Sequence, residues 1–195
     1  MNWNIPNSLT LLRIILIPVI VLVFYAPNAW SHLASAAVFA LAALTDWLDG
    51  YLARRLKQLS VFGAFLDPVA DKLMVAVALV LLVQENPYML FAIPAAIIIG
   101  REIAISALRE WMSEIGARTR VAVSIIGKIK TTAQMVAILL LLYKADLGTF
   151  PTYDVGLFLL YAAAILTLWS MVVYLRAAWP MLAGNDPSRG DQDGA

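Results

Sequence analysis

Residues 8–25 read SLTLLRIILIPVIVLVFY, an apolar run in which Arg13 is the one charged side chain. A helix rises ~1.5 Å per residue, so about 20 residues cross a hydrocarbon core ~30 Å thick. The run therefore predicts a membrane-spanning helix. The whole chain has the same character: 62% of its 195 residues are apolar and 14% are charged, whereas soluble domains have about 45–50% and about 25%.

Five further segments of this kind predict an all-α integral membrane protein with six transmembrane helices. The predicted spans are 8–25, 33–56, 67–84, 88–113, 121–143 and 154–178. Prolines and glycines fall in the gaps between them, as expected of breakers. Trp3 favours a short interfacial segment before the first span. We assign residues 1–183 to one membrane domain and the polar residues 184–195 to a disordered tail.

The distribution of Lys and Arg predicts the orientation of these helices. Basic residues gather around the second and fourth connections, whereas the first, third and fifth hold only Lys144. By the positive-inside rule, the second and fourth connections and both termini then face the cytoplasm.

Composition also excludes several classes of function. The net charge of +1 is too close to neutral for a surface that follows nucleic-acid phosphates. The chain has no cysteine and one histidine, His32, which excludes thiolate catalysis and sites with several histidines. We expect His32 to lie in the first connection as a solvated loop residue.

Four aspartates interrupt the second and third predicted helices. Asp46 and Asp49 are three residues apart, and Asp67 and Asp71 are four residues apart, so each pair lies on one helical face. A short link containing Gly63 joins the two helices into a hairpin, and both acidic faces can then meet near its cytoplasmic end.

Carboxylates that converge at low dielectric need positive charge among them. Arg54 and Lys72 are basic neighbours in sequence and supply part of it. Divalent cations that bind oxygen ligands can supply the rest of the positive charge. Because the chain has no cysteine and no clustered histidine, we expect two Mg²⁺ or Mn²⁺ ions. The alternative is that the acids pair with arginines and only hold the bundle together.

A longer pattern contains these acids. Residues 46–54 read DWLDGYLAR, followed after eight residues by Gly63 and then, at intervals of three residues, by Asp67 and Asp71. This pattern resembles the signature of the CDP-alcohol phosphatidyltransferase family, D-x2-D-G-x2-A-R-x8-G-x3-D-x3-D, at every specified position. Members of that family transfer a phosphatidyl-type group from a CDP-linked lipid to an alcohol and release CMP.

The resemblance implies a role for each residue of the pattern. Asp46, Asp49, Asp67 and Asp71 would hold the metals, with Asp71 also acting as the general base on the acceptor hydroxyl. The CDP moiety would bind at Asp49, Gly50, Ala53, Arg54 and Gly63. A homodimer is also implied.

Three further stretches are similar to the branch of that family whose acceptor is sn-glycerol 3-phosphate. They are NIPNSLTLLR at 4–13, REIAISALREW at 101–111 and IGKIKTTAQ at 126–134. A basic group suits a phosphorylated acceptor, and we assign it as a group to Arg101, Arg109, Arg118, Lys128 and Lys130. Thr10 and Arg13 would line the cleft for CDP-diacylglycerol, unless Arg13 snorkels to the interface.

Several alternatives remain open from the sequence. The acceptor could be serine or inositol phosphate instead. Prenyl transfer also uses aspartate-bound Mg²⁺, but with its acids at D-D-x-x-D spacing. A cation transporter would place acids at mid-membrane depth with polar residues on the far side, and we expect no such far-side residues here. On the main interpretation the protein lies in the bacterial inner membrane with its site toward the cytoplasm.

Overall fold

The computed structural model describes residues 5–56, 61–114, 125–146 and 148–182, and these contain six helices. The helices are α1 (Ile5–Phe24), α2 (Ser31–Leu56), α3 (Val61–Glu85), α4 (Met89–Glu114), α5 (Ile125–Tyr143) and α6 (Thr152–Leu182). Each predicted segment corresponds to one of them, so the all-α prediction is confirmed. Residues 1–4 and the predicted tail 184–195 lie outside the described residues.

Four of the described helices are long and apolar enough to cross a membrane, which indicates an integral membrane protein. The qualifying stretches are Asn7–Phe24, Ser31–Asp49, Met89–Met112 and Thr152–Arg176. In α5 the apolar stretch is shorter, Ile129–Tyr143. The remaining helix, α3, has 25 residues, with Asp67 and Asp71 in its first half and Glu85 at its end.

The third helix begins earlier than predicted. We placed its start at Asp67, whereas α3 begins at Val61. Gly63 therefore lies buried in the first turn of α3 rather than in the link. The prediction counted only the apolar residues. A helix that continues beyond the hydrocarbon core is longer than its apolar run. As a result Asp67 and Asp71 lie about two and three turns into the helix.

The packing of α1 determines where the acids lie relative to the rest of the bundle. This helix lies against both α2 and α3, and α5 lies against α2, α3 and α6. Leu79, Leu82, Ile98 and Leu160 are fully buried between the helices. Because lipid tails are as apolar as these side chains, close packing rather than hydrophobic transfer holds the helices together.

The bundle has a polar cluster at the end opposite the aspartates, contrary to our expectation. Glu85 at the end of α3 accepts a hydrogen bond from Lys144 and lies 3.5 Å from Nε2 of His32. Nearby, the hydroxyl of Tyr153 donates to Asn86 Oδ1 at 3.0 Å. His32 is thus part of the first turn of α2 and not a solvated loop residue.

Gly156 allows α6 to approach α5 closely. A Cβ atom at this position would lie 3.0 Å from Cγ of Leu141 and 3.3 Å from the carbonyl oxygen of Ala137. We expect Gly156→Val to lower the free energy of unfolding by about 1–3 kcal/mol, because the added atoms overpack the helix interface. The melting temperature of the detergent-solubilised protein measures this loss.

The matched control is Gly100→Val in α4. Gly100 is exposed and a Cβ there has no atom within 4 Å, so this variant should keep the melting temperature of the unmodified protein. An equal loss in both variants would mean that the β-branched side chain itself disfavours the helix, and that the contact between α5 and α6 is not the cause.

Candidate active site

Arg13 lies where α1, α2 and α3 meet, and it is 1% exposed. Its Nη1 donates a hydrogen bond to Oδ1 of Asp71 on α3, and its Nη2 donates to Oδ2 of Asp49 on α2. The same Nη2 lies 3.4 Å from Oδ1 of Asp46. One guanidinium therefore links α1 to acids on both neighbouring helices. The alternative that Arg13 snorkels to the interface is wrong, because the side chain points into the bundle.

Thr10 connects α1 to the fourth acid. It lies three residues before Arg13, on the same face of α1, and is 1% exposed. Its hydroxyl donates a hydrogen bond to Oδ1 of Asp67. The structure thus brings all four predicted aspartates together, and α1 contacts each of the four.

The four acids differ in their access to solvent. The side chains of Asp46 and Asp71 are 44% and 42% exposed, whereas that of Asp49 is 4% exposed. If all four are ionised, the single charge of Arg13 does not neutralise them. Such a site has the charge and the hard oxygen donors that divalent cations require.

The carboxylates are arranged around Arg13 rather than around a common metal position. Among the residues that the structure describes, no three acidic or histidine side chains are placed to share one cation. These residues have the oxygen donors and the negative charge that a divalent metal needs. In this arrangement, however, their carboxylates bind the guanidinium of Arg13.

A cavity of about 220 Å³ opens beside Arg13. Asp46, Asp71 and Lys72 line it on the side of α2 and α3, and the side of α4 and α5 is formed in part by Glu102 and Gln134. The cavity therefore connects the aspartates to polar residues from the second half of the chain. Lys72 contributes to its wall, so one of the two basic neighbours expected from the sequence does lie beside the acids.

Two cations converge on Glu102 in this second half, Lys130 buried and Arg101 largely so. Nζ of Lys130 donates to Oε1 of Glu102 at 3.0 Å, and Nη1 of Arg101 donates to the same oxygen at 2.7 Å. Arg101 also donates through Nη2 to Oγ of Ser170 on α6, at 3.2 Å. Lys130 is 3% exposed. This part of the site is thus a desolvated pair of positive charges held by one carboxylate.

Comparison with known proteins identifies the family. The family model for CDP-alcohol phosphatidyltransferases matches residues 3–172 of this chain. The chain belongs to the CDP-alcohol phosphatidyltransferase family. The resemblance noted from the aspartate pattern is therefore confirmed.

Several bacterial members of this family are similar to the chain over nearly its whole length. A protein of Pseudomonas fluorescens named CDP-diacylglycerol–glycerol-3-phosphate 3-phosphatidyltransferase is 60% identical over 185 residues, covering 92% of each chain. Proteins with the same name from Shigella flexneri and Salmonella typhimurium are 57% and 56% identical over 178 residues, which cover 91% of this chain and 96% of theirs.

Part of the predicted site of this CDP-alcohol phosphatidyltransferase lies outside the described residues. Arg118 belongs to the segment 115–124, of which the structure describes nothing. The side chains at five other predicted positions, within α2, α4 and α5, are also not described: Gly50, Ala53, Arg54, Arg109 and Lys128.

Sequence reasoning missed the central place of Arg13 in this family member. The signal was present, since Arg13 is the one charge in the first apolar run and intramembrane charges are costly unless they face a partner. It also missed that Glu102 joins Arg101 to Lys130. Glu102 stands directly beside Arg101 in the sequence, but nothing there indicates that Lys130, on the next helix, reaches the same oxygen.

Proposed function

We propose that this protein transfers the phosphatidyl group of CDP-diacylglycerol to sn-glycerol 3-phosphate, which gives phosphatidylglycerophosphate and CMP for phospholipid synthesis. The names of relatives at 56–60% identity support this activity. The observation that carries the proposal is one cavity with aspartates on one side and, on the other, Glu102, which binds the cations Arg101 and Lys130. Acids that hold divalent cations suit a diphosphate, and side-chain cations suit the phosphate of the acceptor.

The aspartates are the proposed ligands of two divalent cations, Mg²⁺ or Mn²⁺. Their excess of negative charge around Arg13 supports this assignment for Asp46, Asp49, Asp67 and Asp71. When bound, such ions neutralise the charge that builds up on a diphosphate leaving group.

Asp71 is the proposed general base. Its carboxylate lines the cavity and is partly exposed, so an acceptor hydroxyl can approach it. As the acceptor oxygen bonds to the phosphorus of the phosphatidyl group, the bond from that phosphorus to the CMP oxygen breaks. The hydroxyl proton passes to Asp71 and CMP leaves.

The CDP-lipid is proposed to bind along the hairpin of α2 and α3. Gly63 is buried in the first turn of α3, and small residues let a bulky ligand approach the backbone. Gly50, Ala53 and Arg54 are assigned to the CDP moiety with Asp49 by the family pattern. Thr10 is assigned to the same cleft, and its hydrogen bond to Asp67 favours a role in orienting that carboxylate.

Arg101 and Lys130 are the proposed core of the acceptor-phosphate site. Both are largely desolvated and both are held by Glu102, so an incoming phosphate meets positive charges already in place. Charge-assisted hydrogen bonds of this kind are about twice as strong as neutral ones. Arg109, Arg118 and Lys128 complete the proposed basic group.

The position in the membrane is part of the same proposal. We propose that all six helices span the bacterial inner membrane, with both termini and the active site on the cytoplasmic side. The excess of Lys and Arg around the second and fourth connections supports this orientation, and sn-glycerol 3-phosphate is a water-soluble substrate. We also propose that the protein is a homodimer with one membrane domain (residues 1–183) per chain.

An acceptor screen tests the proposed function. Purified protein with CDP-diacylglycerol and Mg²⁺ should release CMP and form a phosphorylated lipid with labelled sn-glycerol 3-phosphate, and chelation of the metal should stop both. CMP release with serine or inositol phosphate alone would contradict the acceptor and leave the family reaction standing. Metal-dependent ion flux in proteoliposomes without CMP release would instead favour a transporter.

A further inference from the structure

The guanidinium of Arg13 occupies the space among the carboxylates that the proposed function assigns to divalent cations. We propose that Arg13 is a built-in counter-cation, which keeps the metal-free site assembled and leaves Asp49 and Asp71 when divalent cations bind. This inference rests on the proposed metal dependence. It adds a positioning residue on α1, outside the aspartate pattern of α2 and α3.

The burial of Arg13 shows that its partners hold it in place. A buried, charged side chain is costly unless its partners compensate for lost hydration. Here both Nη atoms bind carboxylates, whereas the buried Nε has no hydrogen-bond partner among the described residues. The carboxylates thus compensate the guanidinium for its lost hydration, and the guanidinium reduces the repulsion between the carboxylates.

Metal and guanidinium compete for the same carboxylates in this arrangement. Asp49 Oδ2 and Asp71 Oδ1 accept hydrogen bonds from Arg13, and these carboxylates are proposed metal ligands. A divalent cation among them would also lie close to the positive charge of the guanidinium and be repelled by it. We therefore expect metal binding to displace the guanidinium from these carboxylates.

The cavity offers the released side chain a new partner. Arg13 lines the same cavity as Asp46 and Asp71, so a modest rotation of its long side chain keeps the guanidinium at the cavity wall. A guanidinium there can bind phosphate oxygens through two parallel hydrogen bonds. We therefore expect one residue to hold the empty site together and then to contact the diphosphate of the lipid substrate.

A permanent salt bridge predicts the opposite effect on metal affinity. If Arg13 only supported the ligands, then removing it would loosen the carboxylates and weaken metal binding. If Arg13 competes with the metals, then removing it leaves the acids without a counter-cation and strengthens metal binding. Metal affinity therefore separates the two roles, while thermal stability without metal falls in both.

The experiment compares Arg13→Gln with the unmodified full-length protein in detergent micelles, with Mn²⁺ alone as the probe. We expect Arg13→Gln to bind Mn²⁺ about tenfold more tightly in paramagnetic resonance titrations. We also expect it to melt at a lower temperature without metal and to gain more from saturating Mn²⁺, since ligand binding stabilises the folded state. Arg176→Gln, at an exposed position of α6, is the control that should change none of these.

Arg13→Lys is the second variant, which keeps the charge if Arg13→Gln does not fold. An ammonium lacks the planar fork that reaches two carboxylates, so its Mn²⁺ affinity should lie between those of the other two proteins. Equal or weaker Mn²⁺ binding in the Arg13 variants overturns the counter-cation role alone. Absence of Mn²⁺ binding in every protein, the unmodified one included, overturns it together with the proposed metal site.

Discussion

Replacing Asp71 with Asn should lower the rate of CMP release by about 10³-fold, while CDP-diacylglycerol still binds. Positioned general bases contribute about 10²–10⁴-fold to rates, and an amide cannot take the hydroxyl proton. Asn has nearly the same shape and keeps an oxygen that can accept the hydrogen bond from Arg13, so the fold should persist. The measurements are initial rates of CMP release and equilibrium binding of CDP-diacylglycerol.

Asp154→Asn is the matched control for this substitution. Asp154 is an exposed acid in the first turn of α6, far from the cavity, and this variant should keep the full rate. Retention of more than about a tenth of the activity by Asp71→Asn would contradict the assignment of the base. Loss of folding in that variant would instead favour a structural role for the acids.

Replacing Lys130 with Met should raise the KM for sn-glycerol 3-phosphate by about 10- to 100-fold. Hydrogen bonds to charged groups contribute about 1.5–3 kcal/mol, and a factor of ten corresponds to about 1.4 kcal/mol. Met has a side chain of similar length without the charge, so the helix packing around this 3%-exposed position is retained. Initial rates at varied acceptor concentration give the value.

The KM for CDP-diacylglycerol provides the internal comparison for Lys130→Met and should be unchanged. Lys144→Met is the external control, because Lys144 pairs with Glu85 at the opposite end of the bundle, and both of its KM values should stay as they are. If the KM of Lys130→Met rises for CDP-diacylglycerol and not for sn-glycerol 3-phosphate, then Lys130 binds the lipid substrate and its assignment to the acceptor is wrong.

The helices could be predicted because their signal is local. An apolar run of sufficient length is enough to predict each one, and all six predicted segments correspond to helices. The start of α3 at Val61 could not be placed in the same way. Nothing in the apolar run marks where a helix that extends past the hydrocarbon core begins.

The site was only partly predictable, since it combines local and distant contacts. The facing positions of Asp46 and Asp49, and of Asp67 and Asp71, follow from helical periodicity within each pair. By contrast, Arg13 is 36 residues from Asp49 and 58 from Asp71. The side chain of a lone arginine near a membrane surface can point either to the interface or into the bundle. The packing of α1 against both α2 and α3 decides between them, and sequence periodicity does not encode that packing.

The hydrogen bonds from α1 also have a consequence for biogenesis. During synthesis, α1 is made before the aspartates of α2 and α3. Until those helices follow, the guanidinium of Arg13 lacks the carboxylates that it binds in the folded protein. A chain that lost this helix would leave four carboxyl groups in or near the lipid with no guanidinium to offset them, an expensive arrangement. The first three helices therefore have to assemble together before the charges of this site are balanced within the bilayer.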